Sequence, residues 1–209
     1  MISCKKLSAT LPVAIGAWGL AVVAGVLTLG AHSGRPGDAG IPADRWPTES
    51  RIRFDPTRPN LLIFLHPRCP CSRASLAELA RVMTRGRDRL TARAVLLEPS
   101  GAPEGWADSD IARDAAAIPG VVIFRDEDGD EARRFGTATS GHVMLYDADG
   151  RLRFSGGITP GRGHEGASLG RDAVINLIES QASAGRECSP VFGCPLATPR
   201  PIPGPRAAR

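Results

Sequence analysis

The chain has 209 residues, 42% of them hydrophobic, with 26 Lys+Arg against 22 Asp+Glu and a formal net charge of +4. That length fits one domain with extensions, and the apolar share excludes a globally disordered chain. The cations are scattered among acids and leave no nucleic-acid footprint. Five cysteines are too few for a disulfide-stapled scaffold, yet four of them fall into two close pairs.

Residues 1–32 combine a short basic end with an apolar run. Lys5 and Lys6 precede a stretch from Leu7 to His32 that holds no Asp, Glu, Lys or Arg. At about 1.5 Å per residue the run is long enough to span a bilayer. It also exceeds the roughly 7–15 apolar residues of a secretory signal peptide, so an uncleaved anchor is expected over residues 7–31. Lys5 and Lys6 then keep the N-terminal side, with Cys4, in the cytoplasm, and everything after residue 32 is exported. The expected place is the cell inner membrane, single-pass, with the C-terminal domain periplasmic if the cell is bacterial. Exported cysteines meet an oxidising compartment there, which makes thiol pairs chemically meaningful.

Residues 33–51 read as a Gly- and Pro-containing linker, and a domain over 52–183 follows. Asn60–His66, NLLIFLH, is a continuous apolar run typical of a buried strand. From Ser72 to Arg85 the residues Leu76, Leu79, Ala80 and Met83 mark one apolar helix face, with Gly86 as its C-terminal punctuation. Leu90–Leu97 reads as a strand, Asp108–Ala117 as a helix stopped by Pro119-Gly120, and Val121–Arg125 as a third strand. Asp126–Asp130 resembles a calcium loop, but Glu131 stands where such a loop demands Gly, so a solvated turn is expected. His142–Tyr146 and Leu152–Ser155 flank Asp147-Ala-Asp-Gly150 as a hairpin. Ser168 caps a last helix with Val174, Leu177 and Ile178 as its buried stripe. Residues 184–209 form a Pro-rich tail carrying Cys188 and Cys194. The order predicts an α/β layer fold with a mixed sheet.

The chemistry concentrates where the first strand meets the first helix, at His66-Pro67-Arg68-Cys69-Pro70-Cys71-Ser72. A cysteine at a helix N-terminus gains stabilisation of its thiolate from the dipole and the unpaired N–H groups, and Arg68 adds charge. The thiolate is both the nucleophile of disulfide exchange and the ligand form for soft metals. Against this stands the plainer alternative of two structural cysteines. His66, three residues before Cys69, is either a metal ligand or thiol-tuning group or a hydrogen-bonded packing residue. His142 is a second candidate to face the cysteines. Cys188 and Cys194 suit a small disulfide staple, with Pro190 and Gly193 supplying turns. The alternatives are a redox relay to Cys69 and Cys71 or extra sulfur ligands for a metal. The loop GITPGRGHEG lacks the spacing of a phosphate cradle.

The run FLHPRCPCSRASLAEL resembles the active-site segment of thioredoxin-like proteins. With the DADGRL hairpin and the apolar run, it is similar to their exported, membrane-anchored TlpA/ResA-like branch, and closest to the thioredoxin-like proteins known as RedB. The resemblance covers roughly residues 52–180. It implies a three-layer thioredoxin-like fold in which Cys69 is the exposed nucleophile, Cys71 its resolving partner and Pro70 the spacer. It implies a thiol–disulfide oxidoreductase whose partners are exported proteins with thiols or disulfides, needing no cofactor. Two departures stand out. The motif is C-P-C rather than C-x-x-C, and the position of the family's cis-proline, six residues before Asp147, is Gly141. The missing proline leaves room for Cu(I), with Cys69, Cys71, His66 and His142 as candidate ligands. A peroxidase would need Thr or Ser three residues before its reactive Cys, where His66 precedes Cys69 and Arg68 precedes Cys71. A non-catalytic binding module is the remaining alternative.

Overall fold

The structure, a computed structural model, describes residues 4–86, 88–180 and 185–196. An N-terminal unit ends at Arg35 and a second begins at Pro36. The first is helix α1, Cys4–Ser33. Its segment Leu11–Ser33 has 23 residues of mean hydropathy 2.0, none buried, and is long and apolar enough to cross a membrane. Within it, Thr28 and Ser33 donate their hydroxyls to the carbonyls of Ala24 and Leu29 at 2.7 and 3.0 Å. Those polar groups are thereby satisfied inside the helix, as an apolar surrounding requires.

The second unit follows a strand–helix rhythm. Its elements are β1 Asn60–Leu65, α2 Ser72–Gly86, β2 Thr91–Glu98, α3 Asp110–Ala117, β3 Val121–Glu127, α4 Asp130–Phe135, β4 His142–Tyr146, β5 Leu152–Gly156, α5 Leu169–Ser180 and β6 Glu187–Cys188. One sheet runs in the order β3-β2-β1-β4-β5-β6. β2 lies parallel to β1 and β3, β4 lies antiparallel to β1 and β5, and β6 lies parallel to β5. Helices cover both faces, as a thioredoxin-like three-layer fold requires.

β1 shows why its sequence is continuously apolar. Alternate side chains leave opposite faces of a strand. Leu61, Ile63 and Leu65 enter the layer of α2, α3 and α5, while Leu62 and Phe64 enter the layer with Phe135 of α4. On α2, Leu76, Leu79 and Met83 are buried as expected. On α5 the stripe of Val174, Leu177 and Ile178 is buried as well.

Three stretches depart from the sequence reading. In the stretch read as linker, Trp46 packs against Phe135 and Tyr146 with ring centroids 5.0 and 5.4 Å apart, and Tyr146 Oη donates to the Ala43 carbonyl at 2.8 Å. One aromatic anchors an irregular segment without leaving any periodicity to read. In the 126–130 turn Glu127 and Asp128 are exposed as expected, but Asp126 is not. Its buried carboxylate accepts from the N–H groups of Glu131 and Ala132 at 2.8 and 2.9 Å, and so caps α4, a helix too short for a periodic signal. Finally, residues 185–196 are part of the domain: β6 extends the sheet, and Val191 and Leu196 are buried. Residues 197–209 lie outside the described residues.

Candidate functional site

β1 delivers the chain to a tight turn. The Cys69 N–H donates to the His66 carbonyl and the Ser72 N–H to the Cys69 carbonyl, both at 3.0 Å, and α2 starts at Ser72. Cys69 therefore precedes the helix and Cys71 sits immediately before its first residue. No acid occupies the first turn of α2, so nothing offsets the positive end of its dipole there. Pro70 is exposed and has no N–H of its own.

The tail supplies a third thiol. After β6 the chain runs along the loop that precedes β4. The Gly37 N–H donates to the Val191 carbonyl at 2.8 Å, the Ser140 N–H to the Cys194 carbonyl at 2.8 Å, and the Leu196 N–H to the Ala138 carbonyl at 2.8 Å. Thr139 and Pro195 form an antiparallel bridge. A Cβ on Gly193 would lie 1.9 Å from the Ser140 carbonyl oxygen, so only glycine permits this approach. The result brings the sulfurs of Cys69, Cys71 and Cys194 within 4.8 Å of one another. Cys188, by contrast, lies exposed on β6. Of the two tail cysteines, Cys194 belongs to the sulfur cluster and Cys188 does not.

The electrostatics single out Cys69, which is only 2% exposed and so is not the exposed sulfur that the resemblance implied. Burial raises its pKa, but hydrogen bonds from the Cys194 thiol and N–H, the Ser72 hydroxyl and the Cys71 N–H outweigh that, and the net direction is down. Cys71 moves up, through burial and the neighbouring Cys69 charge. Cys194 is pushed up to about 12 by burial, by its hydrogen bond to Cys69 and by the charges of Cys69 and Cys71. Arg162, which donates to the Gly193 carbonyl, acts against both rises. Of the three thiols, Cys69 is the one that gives up its proton most readily.

Ser72 belongs to a chain of donors. Its Oγ is 2.8 Å from Ser140 Oγ, which accepts from the His66 N–H at 2.8 Å. With the Ser72 hydroxyl donating to Cys69, Ser140 donates to Ser72, so every proton in the chain points towards the sulfur. Ser72, Ser140 and Arg162 carry no cysteine or histidine signature, and sequence reasoning passed over them. The one available hint was that Ser72 opens the helix and Ser140 neighbours the expected cis-proline position.

The other expected residues fall differently. His142 is fully buried, with Nδ1 2.7 Å from Thr137 Oγ1 and Nε2 2.7 Å from Ser155 Oγ. Both nitrogens are engaged in the core and burial lowers its pKa to about 4, so it is no ligand for the sulfurs. His66 stands outside the sulfur cluster. Its Nδ1 accepts from the Arg68 N–H at 3.1 Å and its ring lies edge-on to Trp106, with centroids 5.7 Å apart. Burial and the Arg68 charge lower its pKa. Arg68 lies over the Trp106 ring at 5.0 Å and is not among the groups that lower Cys69. Gly141 has φ +89 and donates its N–H to the Phe64 carbonyl at 2.7 Å, and the described residues contain no cis peptide.

The chain matches no known protein family and no curated protein by sequence. Solved structures do resemble it. A hypothetical protein from Sinorhizobium meliloti is 18% identical with a TM-score of 0.54, the match covering 78% of this chain and 96% of that one. An uncharacterised conserved protein from Geobacillus kaustophilus is 15% identical with a TM-score of 0.54, covering 81% and 94%. The thioredoxin domain of a thiol-disulfide oxidoreductase from Bacteroides vulgatus is 16% identical with a TM-score of 0.39, covering 70% and 97%. At these identities the first two speak to fold alone.

Proposed function

We propose that this chain is an exported, membrane-anchored thiol–disulfide oxidoreductase acting through its C-P-C motif, of the TlpA/ResA-like kind and nearest to RedB. The observation that carries the reading is Cys69. It is a buried sulfur whose pKa is lowered by four hydrogen-bond donors, with two further thiols within 4.8 Å. A thiolate is the attacking species in disulfide exchange. Cys69 attacks one sulfur of a partner's disulfide, the other sulfur leaves with the electron pair, and a mixed disulfide forms. A second thiol of the cluster then displaces the partner. The chemistry needs no cofactor, and exported proteins with thiols or disulfides are the substrate class. Leu11–Ser33 would hold the domain at the inner membrane, with Lys5 and Lys6 on the cytoplasmic side.

The test is reduction of a fluorogenic glutathione disulfide with dithiothreitol as electron source. Turnover should vanish in Cys69→Ser. Turnover retained in that variant would overturn the reading.

The three clustered sulfurs support a second reading, Cu(I) handling, because thiolates are the preferred ligands of that soft ion. Cys69, Cys71 and Cys194 would hold it; His66 and His142 would not. Competition with a chromogenic Cu(I) chelator tests this, and it should fail in any variant lacking one of the three thiols.

A further inference from the structure

We infer that Cys194, rather than Cys71, is the thiol that resolves the mixed disulfide on Cys69, closing an internal Cys69–Cys194 bond. The inference deepens the oxidoreductase reading above and rests on it. Cys194 is not on a free tail. Its carbonyl accepts from the Ser140 N–H, the next two residues bridge to Thr139 and Ala138, and Val191 and Leu196 are buried on either side of it. The Cys194 sulfur lies within 4.8 Å of the Cys69 sulfur.

Cys71 is the poorer candidate on geometry. It follows Cys69 by two residues, inside a turn closed by the Ser72 N–H to the Cys69 carbonyl at 3.0 Å. A bond between them requires the Cβ atoms to face each other with a dihedral near 90°, which that turn must open to allow. Cys194 arrives from a different segment and closes no small ring.

The steps balance. The Cys69 thiolate attacks a substrate disulfide, that S–S bond breaks, and the departing sulfur leaves as a thiolate that takes a proton. Cys194 gives up its proton to solvent and attacks the Cys69 sulfur. The Cys69–Cys194 bond forms, and the second substrate sulfur leaves with its electron pair. Two thiols are oxidised and one disulfide is reduced. The first step also prepares the second. Once Cys69 is in a disulfide, its charge and its hydrogen-bond acceptance no longer hold the proton on Cys194, while Arg162 still opposes that proton.

The experiment uses the full chain in detergent, reduced, then exposed to oxidised glutathione, with released glutathione counted and bonds located by peptide mass spectrometry. Wild type should release two equivalents and show a Cys69–Cys194 linkage, and that linkage should form in Cys71→Ser as well. Cys194→Ser should release the first equivalent normally and the second about tenfold or more slowly, because the positioned thiol is gone. Its glutathione should remain on Cys69. A Cys69–Cys71 bond in wild type, or loss of the second equivalent in Cys71→Ser, would overturn the assignment of Cys194 and leave the oxidoreductase reading intact. No adduct on Cys69 in any variant would overturn both.

Discussion

Replacing Gly193 with Ala should release Cys194 from the cluster, and the size of the effect follows from the structure. The added Cβ would meet the Ser140 carbonyl oxygen at 1.9 Å. An ordinary contact needs about 3.4 Å, so the strand must move by about 1.5 Å against rigid backbone. The hydrogen bonds Ser140 N–H to Cys194 and Leu196 N–H to Ala138 cannot survive that, nor can the Arg162 bond to Gly193. At about 1 kcal/mol for each neutral bond and more for the charged one, docking loses roughly 3 kcal/mol, over a hundredfold in its equilibrium. Freed, Cys194 should return from about 12 towards its unperturbed 9.0. At pH 8 its thiolate fraction then rises about a thousandfold, while the less basic thiolate is intrinsically some thirtyfold weaker as a nucleophile. The net prediction is alkylation of Cys194 by N-ethylmaleimide about thirtyfold faster than in wild type, read by mass spectrometry of its peptide. A wild-type rate in a folded Gly193→Ala protein would refute the docked-tail argument.

Other outcomes follow from the same structure. His142 is held near 4 by burial against 6.5 when unfolded, so the unfolded chain binds more protons between those values and stability is lost as pH falls through the window. Urea denaturation should show about 2 kcal/mol less stability at pH 5 than at pH 7 from this residue, and His142→Gln should lack that component. Glu78 is fully buried and accepts from the Gly166 N–H at 2.7 Å and Arg171 at 2.9 Å, pinning the loop before α5 to α2. Glu78→Ala should cost about 2 kcal/mol in denaturant, since the arginines rehydrate but the Gly166 N–H loses its partner. A maleimide that cannot cross membranes should label the exposed Cys188 in intact cells and spare Cys4. Labelling of Cys188 only in broken cells would contradict export.

The sheet and its two helical layers were legible because their signals are local and periodic. β1 is apolar on both faces, and α2 and α5 repeat apolar residues at helical spacing. The turn that carries Cys69 and Cys71 was legible for the same reason, lying between two clear elements. What stayed hidden depends on long-range contact. Trp46 and Leu196 reach the core from irregular segments, and an isolated anchor has no period. Asp126 and His142 look like surface or ligand residues in sequence, yet their partners, the N–H groups of α4 in one case and Thr137 and Ser155 in the other, make them core groups. The pairing of Cys188 with Cys194 followed from their proximity in sequence. The hydrogen bonds of Ser140 and Ala138 turn only Cys194 towards Cys69.

Disulfide exchange at Cys69 is decided by titrating the full chain in detergent against glutathione buffers and locating each bond by mass spectrometry. The donors that stabilise the Cys69 thiolate favour the reduced state. We therefore expect a two-electron couple that is clearly more oxidising than the roughly −270 mV of thioredoxin and is abolished by Cys69→Ser. If no bond or mixed disulfide at Cys69 forms under oxidising conditions while the reduced protein binds Cu(I) tightly, the account is contradicted and the copper reading takes its place.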